Sequence, residues 1–327
     1  MPFFDLPAEE LRGYAPALSE PDDLDAFWAS TLETARTYDV DVRATAAATP
    51  LRLIETWDVS FLGYGGQPVK AWLHLPAGAP QPPPVVVEYI GYGGGRGLVH
   101  EHVGWTLAGY AHLVVDNRGQ GWGAEADATP DDDPETGTSG PAFVTRGILD
   151  PATYYYRRLF TDGVRAVDAV RGLPLVDGSR VVVSGTSQGG GIAIAVAALS
   201  AGLAGAMVDV PFLCHFERAV GLTDSAPYQE IVSYLRSNRG HAAAAYSTLR
   251  YFDGAILASR ATVPALFSVG LMDPVCPPST VFAAFNRWGS ADRSIVEYPF
   301  NMHEGGEAFQ RGRQYAWLAE RLGVRYK

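Results

Sequence analysis

Residues 181–191 read VVVSGTSQGGG: an apolar run enters Gly185, Thr186, Ser187, Gln188 and Gly189, and a helix-compatible stretch, IAIAVAALS, follows. A serine flanked two residues away on each side by glycine, where a buried strand turns into a helix, is a pattern for nucleophilic catalysis. The serine has to occupy a sharp, strained turn, and small neighbours leave room where the backbones crowd. That turn lifts the hydroxyl above the sheet edge. It also aims the next backbone N–H groups and the positive end of the helix at the same point. A hydroxyl is a weak nucleophile until a base takes its proton, so a histidine and an acid that orients it are required.

The chain contains seven histidines. Behind a turn of this kind the acid and then the histidine follow the serine in the chain. His74, His100, His102 and His112 precede Ser187, which leaves His215, His241 and His303. His215, in PFLCHFERAV, and His241, at the head of an alanine-rich run, read as helix-face residues. His303, in YPFNMHEGGE, follows an expected last strand and precedes two glycines, where a loop can present an imidazole to the sheet edge. It is selected as the base. Asp273 follows the apolar run VPALFSVG and precedes Pro274, so it stands on the loop after a core strand. Asp292 precedes a strand and Asp253 lies outside any strand pattern, so Asp273 is selected as the acid.

Acyl transfer also needs donors for the developing oxyanion, about 3 kcal/mol of barrier for one donor. The Gln188 amide is one candidate. The Tyr92 amide is the other, in the glycine-rich loop EYIGYGGGRG that follows PVVVEYI, where Gly91, Gly93, Gly94 and Gly95 let the backbone approach a ligand closely. The same loop lacks the full G-x-G-x-x-G with a following helix and acidic residue that a dinucleotide site requires. Cys276 lies near Asp273 and is a conceivable thiol nucleophile, but His303 has the better-placed partner in Asp273.

Holding such groups at one edge takes a parallel sheet covered on both faces. Short apolar strands are expected at 84–90, 111–116, 180–185, 204–210 and 263–270, with a last strand at 294–300. Helices are expected at 22–37, where Leu24, Phe27, Trp28 and Leu32 share a face, at 153–172 and at 304–322. Two alternating strands, 52–62 and 68–75, suggest a hairpin-like start. The fold class is α/β: one domain over 1–327, with a mostly parallel central sheet and helices on both faces. Residues 124–143, rich in Pro, Gly, Asp and Thr, are expected to form a long loop, with Asp131, Asp132 and Asp133 as a solvated turn.

With 327 residues, 47% of them apolar, the chain can bury a large core unaided. A net charge of -11 argues against nucleic acid as a partner, because phosphate binding relies on Lys and Arg. The sequence has no apolar run of membrane-spanning length, and its start lacks a basic segment followed by an apolar one, so a soluble, unprocessed protein is expected. Two cysteines, Cys214 and Cys276, are too few for a disulfide scaffold and fit a reducing cytoplasm.

The segments DNRGQG at Arg118, Gly119 and Gln120, TRGILDPATYYYRR at 145–158, GTSQGG at Ser187 and HE at His303 and Glu304 together resemble the acetyl xylan esterase and cephalosporin C deacetylase family, carbohydrate esterase family 7, of the α/β-hydrolase superfamily. The resemblance spans nearly the whole chain. It implies hydrolysis of O-acetyl esters on short xylo-oligosaccharides and cephalosporin C, no metal or other cofactor, a cytoplasmic location and a homo-oligomer, usually a hexamer. Carried over by position, it marks Ser187, Asp273 and His303 as the triad and Tyr92 and Gln188 as the oxyanion hole. This sequence departs from the pattern at Thr186, where glycine is frequent, and at Gly93, where a polar residue is common.

Three expectations go further. Arg118, Gln120 and Glu304 support the site, with Arg118 bracing the catalytic loop through a charge-assisted pair to Glu304, the alternative partners being Asp116 or another acidic residue near that loop. Tyr92, Phe212 and Phe216 narrow the acyl pocket, because PFLCHF follows the strand AGAMVDV to the same sheet edge as Ser187; the alternative is that these aromatics belong to the core. The competing functions are a peptidase or acyl-peptide hydrolase on the same fold, which would call for a further access-limiting domain, and a hydrolase-like binding protein with a silent site. A complete nucleophile, base, acid and oxyanion loop disfavours the second.

Overall fold

The computed structural model describes residues 4–121, 128–131 and 142–324. Nine strands form one sheet: β1 (Arg43–Ala46), β2 (Ile54–Leu62), β3 (Pro68–Pro76), β4 (Pro84–Tyr89), β5 (Ala111–Val115), β6 (Asp177–Thr186), β7 (Gly205–Asp209), β8 (Ala265–Gly270) and β9 (Arg293–Tyr298). Their order across the sheet is β1-β2-β3-β5-β4-β6-β7-β8-β9. The first three pair antiparallel and β3 joins β5 antiparallel, whereas every pairing from β5 through β9 is parallel. This is the mostly parallel α/β sheet with an antiparallel start that the strand patterns imply.

Period-two alternation divides the apolar strands between two faces. Val85, Val87, Val181 and Val183 join the larger core, which is covered by the helices Leu24–Arg36, Tyr155–Gly172 and Gln188–Leu199. Val86, Val182, Met207 and Leu266 face the smaller core with Trp105, Trp317, Leu318 and Leu322, the last three from the helix Glu307–Leu322. In the helix Leu24–Arg36 the residues Leu24, Trp28 and Leu32 are buried as expected, and Phe27 packs edge-on against Trp28. The helix Gln188–Leu199 is buried from Gln188 through Ala197, which explains its nearly uniform apolar sequence.

Most of the expected long loop, 124–143, lies outside the described residues, Asp132 and Asp133 included. Asp131 is described, and it is not a solvated turn residue. Arg158 donates to it from Nε at 3.0 Å and from Nη2 at 2.9 Å, and the two side chains are 3% and 4% exposed. A carboxylate in a run of aspartates looks solvated until a distant helix, here Tyr155–Gly172, supplies the cation.

Under the smaller core the sheet holds a polar cluster that should govern acid stability. The His112 ring reaches Glu88 from Nε2 at 2.8 Å, and Nδ1 of the buried His74 is bonded to Thr56 at 2.9 Å. Burial, reinforced by the nearby His112 and His102, pushes His74 down to about 3. Burial alone would raise Glu88, but its bond to His112 and the surrounding cations win and hold it at about 2. The unfolded chain therefore takes up a proton at His74 below about pH 6.5 that the folded chain refuses. Stability is expected to fall as pH drops from about 6.5 toward 3, at up to about 1.4 kcal/mol per unit for this group. The contribution from Glu88, present above about pH 4.5, is lost in the same direction. Denaturant midpoints measured against pH should show this slope, and His74→Leu should flatten it. An unchanged slope in the variant would exclude His74 as its source.

Candidate active site

The strand β6 delivers Ser187 to the carboxyl edge of the sheet, where its backbone takes φ 58°, ψ -119°. A non-glycine residue at positive φ costs of order 1–3 kcal/mol and persists only where the surroundings fix it. Here they do: the Ser187 N–H donates to the Asp209 carbonyl at 3.0 Å, and the Ser187 carbonyl accepts from Gly191 at 3.0 Å and Phe212 at 2.9 Å. The flanking glycines are compelled by packing. A Cβ on Gly185 would fall inside the Gly189 backbone, and one on Gly189 would collide with the Tyr89 carbonyl. Gly189→Ala is therefore expected to cost at least about 2 kcal/mol, read as a lower denaturant midpoint. A loss under about half a kcal/mol would show that the turn has slack.

Asp273 lies just past the end of β8 and His303 five residues past the end of β9. The His303 Nδ1 to Asp273 Oδ2 distance is 2.8 Å. The other Asp273 oxygen accepts from the Val275 and Cys276 amides at 2.8 and 3.0 Å. Asp273 is fully buried with both oxygens engaged, and Oδ2 is placed to accept from His303 Nδ1–H. With Nδ1–H given to the carboxylate, the imidazole keeps its Nε2 lone pair for a proton. The histidine loop is held by Glu304, which accepts from the Asn301 side chain at 2.9 Å and the Met302 amide at 3.0 Å.

Gln188 opens the helix Gln188–Leu199, and Tyr92 stands on the loop after β4. Among the described residues neither backbone amide is taken up by an acceptor, so both are available to a developing oxyanion. The two loops are tied together by side chains. Gln120 accepts from the Gly93 amide at 2.7 Å and donates to Gln188 Oε1 at 3.2 Å, while Tyr156 donates to the same oxygen at 2.8 Å. Asn117 donates to the carbonyls of Ile90, Gly91 and Gly94. The motif carrying Arg118 and Gln120 thus works as a brace between the loop after β4 and the serine turn. Asn117, Tyr156 and Tyr155, whose hydroxyl accepts from the Gln120 side-chain amide at 2.7 Å, belong to that brace but have no assigned role in the sequence reading. Their only signal was their place inside the DNRGQG and YYYRR segments.

The expected pairing of Arg118 with Glu304 is incorrect. Arg118 is fully buried and forms two parallel bonds to Asp162, from Nε at 2.8 Å and Nη2 at 2.9 Å, and a third to Gln67. Glu304 is exposed on its own loop. The reason lies in strand order: Arg118 follows β5 and Glu304 follows β9, five strand positions away. At about 4.8 Å per strand that is roughly 24 Å, beyond any side chain.

Phe212 and Phe216 also differ from expectation. Both are buried in the core, against Tyr228 at ring separations of 4.6 and 6.0 Å. Phe212 backs the Tyr92 ring at 6.1 Å, so its influence on a ligand passes through Tyr92. The Tyr92 hydroxyl donates to Glu230 at 2.6 Å, and burial, then that bond, raises its pKa. The two rejected histidines occupy N-cap positions, not helix faces: His215 stands before Phe216–Leu222 and pairs with Tyr14, and His241 stands before Ala242–Leu249 and pairs with Tyr234. Burial pushes the Cys276 thiol well up, which keeps it protonated and makes it unsuitable as the nucleophile.

The acetyl xylan esterase (AXE1) family model matches residues 1–321. The chain belongs to the acetyl xylan esterase family. That family is one of carboxylic ester hydrolases, and its solved structures share this fold. An acetyl xylan esterase from Paenibacillus sp. R4 superposes with a TM-score of 0.91 at 36% identity, covering 97% of this chain and 100% of the other. Acetyl xylan esterase 1 from Thermoanaerobacterium sp. JW/SL YS485 does so with 0.88 at 31% identity, covering 99% and 100%. Acetyl esterase Axe7A of Xylanibacter ruminicola is 26% identical over 316 residues, 89% of this chain and 66% of that protein. This family member therefore spans just under two thirds of that curated relative. No helix among the described residues is long and apolar enough to cross a membrane.

Proposed function

We propose that the chain is a serine esterase that hydrolyses small O-acetyl esters, with acetylated xylo-oligosaccharides and cephalosporin C as the substrate class, through an acetyl-enzyme on Ser187. The observation that carries the reading is the 2.8 Å bond from His303 Nδ1 to the fully buried Asp273, beside a serine held at positive φ. His303 takes the Ser187 proton as the hydroxyl attacks the acetyl carbonyl. Asp273 holds the imidazole and stabilises its cation, and the Tyr92 and Gln188 amides receive the oxyanion. His303 then returns the proton to the leaving alcohol. Water, deprotonated by the same base, releases acetate and restores the serine.

In this reading the chain acts as one domain in the cytoplasm, as a homo-oligomer and by family likeness a hexamer. Tyr92, supported from behind by Phe212, limits the acyl group to a short chain. A panel of p-nitrophenyl esters, an acetylated xylo-oligosaccharide, cephalosporin C and a peptide amide tests it. Acetyl esters should be hydrolysed faster than octanoyl esters, with no cleavage of the amide. Faster octanoyl turnover, or amide cleavage at a comparable rate, would overturn the substrate class.

A further inference from the structure

The turn that holds the acid also brings in a group with no part in ester hydrolysis. Because Asp273 Oδ1 accepts the Cys276 amide at 3.0 Å, the chain curls so that the Cys276 side chain returns toward the site. One ligand atom from each of Asp273, Cys276 and His303 lies within 4.8 Å of the other two. Asp273 and Cys276 are fully buried, and Ser187 is among the groups that act on the Cys276 thiol. A carboxylate, a thiol and an imidazole thus converge on one point, beside a hydroxyl.

That is a donor set for a borderline-soft divalent ion. Zinc takes Cys sulfur at about 2.3 Å, His nitrogen at about 2.0–2.1 Å and carboxylate oxygen at about 2.0–2.2 Å, which puts tetrahedral ligand atoms roughly 3.5 Å apart. Closing from 4.8 Å to that spacing takes about one ångström of movement. His303 is the ligand with room to adjust, because its side chain is partly exposed whereas Asp273 and Cys276 are fully buried. Magnesium and calcium require a shell of oxygens, and a thiol with an imidazole does not provide one.

We propose that Asp273, Cys276 and His303 form an inhibitory site for a thiophilic divalent cation, zinc foremost. The inference rests on the esterase reading, since what the ion would switch off is the acid and the base of that reaction. Binding forms metal bonds to sulfur, nitrogen and oxygen and releases the thiol proton to solvent, with no redox change. The bound ion occupies the imidazole and neutralises Asp273, so Ser187 loses its base. Cys276 contributes affinity for the ion and no step of hydrolysis.

The test titrates zinc chloride against p-nitrophenyl acetate hydrolysis by the full chain, with magnesium chloride as control. Wild-type hydrolysis without zinc checks the esterase reading separately. The wild type should lose at least about tenfold of its activity at saturating zinc, recover it on chelation and ignore magnesium. Measured against its own rate without metal, Cys276→Ser should need a half-inhibiting zinc concentration at least about tenfold higher than the wild type. Equal zinc sensitivity in wild type and Cys276→Ser would overturn the proposal. A second measurement needs no variant: cobalt(II) added to the wild type should produce a thiolate-to-cobalt charge-transfer band that zinc removes in parallel with inhibition. Absence of that band would overturn the proposal even if Cys276→Ser failed to fold.

Discussion

Asp273→Asn is expected to lower kcat for acetyl ester hydrolysis by about four orders of magnitude while the protein stays folded. The Asn carbonyl oxygen can still accept from the Val275 and Cys276 amides, as Asp273 Oδ1 does at 2.8 and 3.0 Å. The amide nitrogen must then face His303 Nδ1, where the carboxylate oxygen now stands at 2.8 Å. A donor at that position turns the imidazole into the tautomer that carries its proton on Nε2, the nitrogen that has to accept from Ser187. Geometry is preserved and the base is lost. Stability should change by less than about 1 kcal/mol, since both buried hydrogen bonds remain. Steady-state rates and a denaturant titration separate the two effects. Retention of a tenth of wild-type kcat would remove Asp273 from the reaction.

Arg118→Ala should produce the largest loss of stability among single changes near the site, about 3–5 kcal/mol. Arg118 and Asp162 are 0% and 1% exposed, and the ion pair between them is bidentate. Removing the guanidinium strands a carboxylate whose other bond is the Tyr64 amide at 2.8 Å. Burial alone would lower the Arg118 pKa, but Asp162 outweighs it and raises it, so the arginine keeps its charge. Arg118→Lys should recover only part of the loss, because an ammonium cannot make the two parallel bonds. Turnover should fall as well, since Asn117 and Gln120, which clamp the oxyanion loop, flank the same residue. Full stability with reduced turnover would mean that the pair serves the site alone. Unchanged values for both would refute its bracing role.

The serine turn was legible because its causes are local: a strand, two close-packed glycines and a helix follow one another in the chain. Asp273 and His303 were legible because each stands just beyond an apolar strand and because the order of acid and base after such a serine is constrained. The partner of Arg118 was not, because it depends on the order of strands across the sheet. Chain order places β5 before β6, but the sheet inserts β4 between them and carries β9 to the far edge. Phe212 was correctly placed at the sheet edge and wrongly turned toward the ligand. Its direction is set by Tyr228, on the helix Tyr228–Ser237, an element with no distinct signature in the sequence. Asp131 was misread for a similar reason, its counter-ion lying on a helix 27 positions later.

In this mechanism the acetyl group passes through Ser187. Rapid mixing with excess p-nitrophenyl acetate, acid quenching within one turnover and mass analysis of the digested chain test it directly. One acetyl group per chain should appear on the peptide that contains Ser187, at a rate matching the burst of nitrophenol, and Ser187→Ala should show neither the acetyl group nor the burst. Acetyl found on another residue, or a burst that survives in Ser187→Ala, would exclude Ser187 as the nucleophile.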